Sequence, residues 1–367
     1  MRILHIGYRL PPEPGGKELY IERLVREQVR RGHDVIVAHR RGAPLQGTTT
    51  LRLPPVRASR IVSLKSDEIA FAMECAKALP RTRGLDVVHL HGDHREALVL
   101  GPATRRLGIP LVLHVHGALT TLHRPIMPWA FRHVGGFIVS GTRPRGDLLG
   151  VGVPDRLIHM MPSGVELGHL ARFRGSAPIQ RGLIVSVGSL VKVKNHELTI
   201  EAFHRVRAAR PDTRLVIAGD GPERDRLRRL ADAGPGIEFL GQIPSDQVYA
   251  LVSRADAFVH SSRRLRTIGE GIPTAPLEAL ALGTAVLVSS EASLDPAVPP
   301  AAYRVFRSRT DLVTQLHAVM DDEVARLQMI EKGVEAAADL DWRLVAERIE
   351  QVYEKVIARD AAALAAT

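Results

Sequence analysis

Short apolar runs alternate with amphipathic stretches along the whole chain. In the first half RILHIG, DVIVAH, DVVHLHG, PLVLHVHG and GFIVSG are mostly apolar and bounded by Gly, Pro or Asp. Runs of this kind, without strict polar alternation, fit strands covered on both faces in a parallel sheet. Between the first two, GGKELYIERLVREQVRRG places Ile21, Val25 and Val29 at i, i+4 and i+8 on one helical face, with Leu24 beside them. The second half repeats the rhythm. LIVSVGS, RLVIAGDG, IEFLG, DAFVHSS and TAVLVSS read as strands, and NHELTIEAFHRVRAAR and PERDRLRRLADAG as helices, the second opened by Pro222. PSDQVYALVSRA reads as a short helix capped by Ser245. Helices close the chain from about Arg309 to Ala366.

Periodicity is lost between Gly164 and Arg181. The pattern therefore predicts an α/β protein of two Rossmann-like domains in series, 1–170 and 171–349, facing across a cleft. Open parallel sheets bind ligands at the carboxyl ends of their strands, so one site would draw on both halves. A length of 367 residues gives each half a core of its own. Hydrophobic residues make up 45% and charged residues 25%, a soluble globular composition. No apolar run approaches the ~18 residues of a spanning helix, and the opening MRILHIGYRLPP lacks a signal-peptide pattern. Cys75, alone, reads as a small core residue; a cytoplasmic location is expected.

The formal net charge of +10 invites an anionic partner: nucleic acid, a membrane surface or a phosphorylated ligand. The arginines are scattered along helices and aromatics are only 4%, which argues against nucleic acid. LHRPIMPWAFRHVGGF mixes apolar and basic residues and suits an acceptor lip or peripheral contact with the inner membrane face.

Four places carry candidate chemistry. In PPEPGGKE, Gly15 and Gly16 precede a helix, where backbone can approach a ligand and free N–H groups can meet an anion. His89 with His91, and His114 with His116, each share one face of a strand end. Four such imidazoles are a zinc-ligand set, with Asp93 the nearest carboxylate; the bland reading is packing inside the sheet. His116, before Gly117 at a loop mouth, suits contact with a sugar hydroxyl. In VGSLVKVKN, Lys194 and less strongly Lys192 sit beside a helix N-terminus, a diphosphate-binding arrangement. In GEGIPTAPLEALALG, Glu270 and Glu278 are separated by seven residues, and Pro273 and Pro276 place the helix start near Pro276. Glu278 is then expected in the first turn and Glu270 in the preceding loop, both able to accept from vicinal hydroxyls of a ribose or hexose. The Asp339-Leu340-Asp341 triplet reads as a helix cap, and no metal site is expected.

In this order the motifs resemble the GT-B family of retaining glycosyltransferases known as family 4. The resemblance runs from PPEPGGKE and RRGHDVIV through DVVHLHG, HVHG, VGSLVKVKN, VIAGDGPERDRL, EFLGQIPSDQVYALVSRADAFVHSS and EGIPTAPLEALALGTAVLVS to DWRLVAERIEQVYEKV. It implies a nucleotide-sugar donor as co-substrate, no separate cofactor, and a small-molecule, glycan or lipid-linked acceptor. It also implies roles. Gly16 lies under the donor phosphates, His116 contacts the transferred sugar, and Lys194 binds the diphosphate. Glu270, with the backbone of Gly271 and Ile272, holds sugar hydroxyls. Glu278 holds the ribose, and Leu277 offers an N–H to phosphate. The last helix, 350–367, crosses back to the first domain. Two departures stand out. Ser189 occupies the position where the family usually carries a diphosphate-gripping Arg, and EASLDPAVPP replaces a Gly-Gly-x-x-Glu turn. The alternatives are a zinc-dependent hydrolase on the four histidines, a non-catalytic nucleotide-sugar binder, and an epimerase or phosphorylase of the same architecture.

Overall fold

The computed structural model describes residues 1–13, 15–63, 65–117, 119, 122–265, 272–292 and 294–365. The chain forms two compact units, Met1–Pro162 with Trp342–Thr367, and Ser163–Asp341. The second unit thus starts at Ser163 rather than 171, and the returning segment at Trp342 rather than 350.

The first unit holds seven strands: β1 (Arg2–Ile6), β2 (Asp34–Ala38), β3 (Thr49–Thr50), β4 (Val87–Leu90), β5 (Leu111–Val115), β6 (Gly136–Val139) and β7 (Ile158–Met160). All pair in parallel, in the order β3-β2-β1-β4-β5-β6-β7. Helices α1 (Gly16–Arg30), α2 (Arg57–Val62), α3 (Asp67–Ala78), α4 (His94–Arg106), α5 (Met127–Phe131) and α6 (Thr142–Leu149) connect them.

The second unit has six parallel strands: β8 (Gln180–Val187), β9 (Arg214–Ala218), β10 (Ile237–Gly241), β11 (Ala255–His260), β12 (Val286–Ser289) and β13 (Arg304–Phe306). Their order is β10-β9-β8-β11-β12-β13. Its helices are α7 (Leu167–Leu170), α8 (His196–Ala209), α9 (Arg224–Ala231), α10 (Ser245–Val252), α11 (Thr274–Ala281), α12 (Arg309–Asp321) and α13 (Glu323–Ala338). The long α14 (Trp342–Ala365) then belongs to the first unit.

Two local expectations are corrected. Helix α11 starts at Thr274, because Pro273 takes the N-cap with extended dihedrals. Pro276 is then the third helical residue, where the N–H it lacks would have had no intrahelical partner. Glu278 accordingly falls in the second turn. Helix α10 is capped by Pro244, with Ser245 already helical, so the expected Ser245 cap does not form.

Strand alternation divides the first unit's core. Leu4, Val88 and Leu113 face one way, against Phe71 and Leu100. Ile3, Val87 and Val112 face the other way, against Trp342, Val345, Ile349 and Tyr353 of α14. With a period of two, His5, His89 and His114 continue that second face toward the carboxyl ends of β1, β4 and β5. The register confirms the row, pairing Ile3 with Val87 and His5 with His89. Sheet order reverses between β1 and β4, and between β8 and β11. Those reversals are where open parallel sheets leave a crevice for ligands.

Candidate active site

In the first unit the crevice lies beyond β1 and β4. Gly15 and Gly16 open α1 there, both exposed, and a Cβ on Gly16 would meet no atom within 4 Å. The helix start is therefore open on the Gly16 side, whereas the Glu18 carboxylate packs against Gly15. His116 follows β5 directly and is half-buried, with Lys17 of α1 close enough to act on it electrostatically.

The imidazoles form one continuous cluster. His116 and His114 stack at 3.9 Å with 9° between their planes, and His91 and His89 at 4.1 Å and 28°. His5, which the sequence did not mark, joins them by hydrogen-bonding His91 at 2.9 Å. Burial lowers the pKa of every member, to about 4 for His5 and about 3 for His114, and well below the usual range for His89, His91 and His116. All five are therefore neutral at physiological pH. The ring nitrogens of His91, His114 and His116, and of His5, His89 and His91, lie within 4.8 Å of one another, so the zinc-type set does come together. His5, His91 and His116 nevertheless direct nitrogens at each other in hydrogen bonds. Both nitrogens of His114 and Nε2 of His89 have no hydrogen-bond partner among the described residues.

In the second unit, the loop after β8 carries the cationic candidates. The stem of Lys194 crosses Gly188, where a Cβ would sit 3.4 Å from Lys194 Cδ. Gly219 packs so closely on the same turn that a Cβ there would lie 2.0 Å from the Gly188 carbonyl oxygen. Lys194 is half-buried, whereas Lys192 and Ser189 are exposed. Asn195 adopts a left-handed conformation, φ 52°, ahead of α8. The Ser261 hydroxyl donates to the Lys194 and Asn195 carbonyls at 3.1 and 2.9 Å, tying the loop to the end of β11.

Arg263, just past β11, is a second residue that the sequence pattern did not mark. Its backbone N–H donates to the Val193 carbonyl at 2.7 Å and its Nε to the Lys192 carbonyl at 3.2 Å. A guanidinium thus reaches the turn that carries Ser189 and Lys194. The only sequence signal was the Arg-Arg pair after HSS.

Glu270 and Gly271 lie outside the described residues. Ile272 is buried at 7% exposure, beside Pro273 at the head of α11. Glu278 is half-buried, and its Oε1 accepts from the Tyr249 hydroxyl at 3.0 Å. Leu277, fully buried, is the fourth helical residue, so its N–H makes the first intrahelical bond to the N-cap carbonyl. Thr274 and Ala275 hold the N–H groups left over at the helix start.

Two family profiles match nearly end to end: "Glycosyltransferase Family 4" over residues 14–169 and "Glycosyl transferases group 1" over residues 171–336. A GDP-mannose-dependent monoacylated alpha-(1-6)-phosphatidylinositol monomannoside mannosyltransferase of Corynebacterium glutamicum is 25% identical, over 94% of this chain and 95% of its own. A glycogen synthase of Mycobacterium tuberculosis is 26% identical, over 96% and 94%. Among solved structures, Anabaena HepE in complex with UDP-glucose superposes with a TM-score of 0.74 at 15% identity, covering 97% of this chain and 100% of that one. WaaG, a glycosyltransferase involved in lipopolysaccharide biosynthesis, gives 0.67 at 16% identity, covering 96% and 99%. The two parallel α/β units are those of a GT-B fold, and the chain belongs to the group 1, family 4 glycosyltransferases.

Proposed function

We propose that this enzyme moves a hexose from a nucleoside diphosphate sugar to a hydroxyl acceptor, with retention of anomeric configuration and without a metal ion. One observation carries the donor assignment. Lys194, Arg263 and the start of α11 all follow β8 or β11, the strands flanking the sheet-order reversal of the second unit.

A departing nucleoside diphosphate develops negative charge, and fixed cations and unpaired N–H groups stabilise that charge more than they stabilise the bound donor. Lys194 is the principal cation in this reading. Arg263 supplies the guanidinium that Ser189 does not, and the N–H groups of Thr274 and Ala275 take the place expected of Leu277. Glu278 holds the ribose diol, with Tyr249 fixing one of its oxygens. Glu270, with Gly271 and Ile272, holds the sugar hydroxyls, as the family resemblance implies. On the first unit, Gly16 is open to a ligand, and His116 is the residue to which the family resemblance gives contact with the transferred sugar. The acceptor hydroxyl attacks from the face that the diphosphate leaves, and the leaving phosphate takes its proton.

A lipid-linked acceptor fits the surface around α5. Leu122, Ile126 and Trp129 are 76%, 47% and 56% exposed, and Arg132 stacks over Trp129 at 4.6 Å. Apolar and basic groups together suit peripheral contact with an anionic membrane. Among the described residues no helix is long and apolar enough to cross one.

The test is a thermal-shift screen against UDP, GDP, ADP and dTDP sugars, because a ligand bound only to the native state raises its stability. NMR of the product anomeric centre and turnover in EDTA follow. An inverted product, or activity lost to EDTA and restored by a divalent ion, would refute the corresponding part.

A further inference from the structure

Four hydrogen bonds join His116 to the last helix of the first unit, and a fifth returns from that helix to the sheet. His116 Nε2 meets His91 Nδ1 at 3.0 Å, and His91 Nε2 meets His5 Nδ1 at 2.9 Å. His5 Nε2 meets Gln28 Oε1 at 2.7 Å, and Gln28 Nε2 donates to the Tyr353 hydroxyl at 3.2 Å. That hydroxyl meets His89 Nδ1 at 2.6 Å. His5, His89 and His91 are no more than 1% exposed, and Gln28 and Tyr353 are fully buried.

Such a chain has a direction. A neutral imidazole has one N–H and one lone pair, so a ring that donates at one nitrogen must accept at the other. The direction chosen at one end is therefore imposed on every ring. A separation of 2.6 Å suits an O–H donor, so the Tyr353 proton points at His89. Tyr353 then accepts from the Gln28 amide, which turns the Gln28 carbonyl toward His5. His5 must carry its proton on Nε2 and accept at Nδ1. His91 must donate from Nε2 and accept at Nδ1. His116 must donate from Nε2, which leaves its Nδ1 as a lone pair.

We infer that Gln28 and Tyr353, acting through His5 and His91, are positioning residues that set the His116 tautomer and present Nδ1 as a hydrogen-bond acceptor. The inference rests on the reading that His116 meets a sugar hydroxyl. It adds that the imidazole accepts that hydroxyl's proton in a hydrogen bond and does not donate to its oxygen. The choice is made away from β5, in the middle of α1 and on α14, where the Tyr353 hydroxyl is fixed by His89 of β4.

The experiment uses the full chain with ¹⁵N-histidine labelling. Long-range ¹H–¹⁵N spectra separate protonated from bare ring nitrogens, and His116→Asn identifies the His116 signals. Wild type is expected to be protonated at Nε2. Gln28→Met, and Tyr353→Phe with its ring packing kept, should give a tautomer mixture. Turnover should fall roughly ten- to a hundredfold with donor KM little changed. Gln28→Glu, still an acceptor toward His5, should restore the wild-type tautomer and most of the turnover. A His116 protonated at Nδ1 in wild type, or both Gln28→Met and Tyr353→Phe folding with unchanged tautomer and turnover, would overturn the inference. Full turnover in His116→Asn would instead remove the sugar-contact reading beneath it.

Discussion

The two units use the same parallel sheet and the same crevice, yet furnish it with opposite chemistry. At and just past the carboxyl ends of β1, β4 and β5 stand five imidazoles, uncharged because burial penalises their protonated forms. Beyond β8 and β11 stand Lys194 and Arg263, with Glu278 of α11 held by Tyr249 of α10. Neutral donors and acceptors orient hydroxyls without competing for charge, whereas fixed cations answer the charge that a leaving diphosphate acquires. Under the function proposed above, the contrast would divide the work, with orientation in the first unit and charge stabilisation in the second.

Acid should break the symmetry most strongly. The His5 and His114 pKa values of about 4 and about 3 lie below the ~6.5 of an unfolded histidine. Between those limits the unfolded chain binds more protons, so their contribution is full above about pH 6.5 and is lost as pH falls. Each group costs about 1.4 kcal/mol per pH unit in that window, against a typical domain stability of ~5–15 kcal/mol. In the second unit buried His196 is comparably shifted, to about 4. Both tryptophans, Trp129 and Trp342, lie in the first unit. Their fluorescence should therefore change at higher pH than the far-UV circular dichroism. Coincident transitions would contradict the division.

On the second unit, Lys194→Ala should lower turnover roughly 10²–10³-fold, the scale of losing one stabiliser of developing charge. Lys192→Ala, at an exposed position, should change it less than about threefold. Equal losses would move the diphosphate elsewhere along the loop. Glu278→Gln should weaken donor binding by about tenfold in calorimetry, as a charge-assisted hydrogen bond is lost. Tyr249→Phe should raise donor KM by a few-fold through the same carboxylate, since a neutral hydrogen bond is worth about 1 kcal/mol. If Tyr249→Phe acted in a Glu278→Gln background as strongly as alone, the two would not share a role.

Sequence pattern made the sheets legible because apolar runs between Gly, Pro and Asp have few other uses. It marked His116 and Lys194 as candidates because each stands in the loop that follows a strand. Helix α11 began earlier than read, because Pro276 looks like a helix start but is equally at home two residues further in. His5 was passed over as a lone polar residue in a strand. Gln28 and Tyr353 were invisible for a different reason. They are 325 residues apart, and only folding makes them hydrogen-bond partners. Arg263 was hidden because only the folded chain brings the segment after β11 against the turn after β8.

The return of α14 also orders the molecule in time. A ribosome delivers residues 163–341 before Trp342, so the second unit emerges with its sheet complete. The first unit must wait for α14, leaving Ile3, Val87 and Val112 without Trp342, Val345 and Ile349 throughout that interval. Synthesis therefore proceeds past a half-covered sheet, and the earliest-made strands are the last to be sealed.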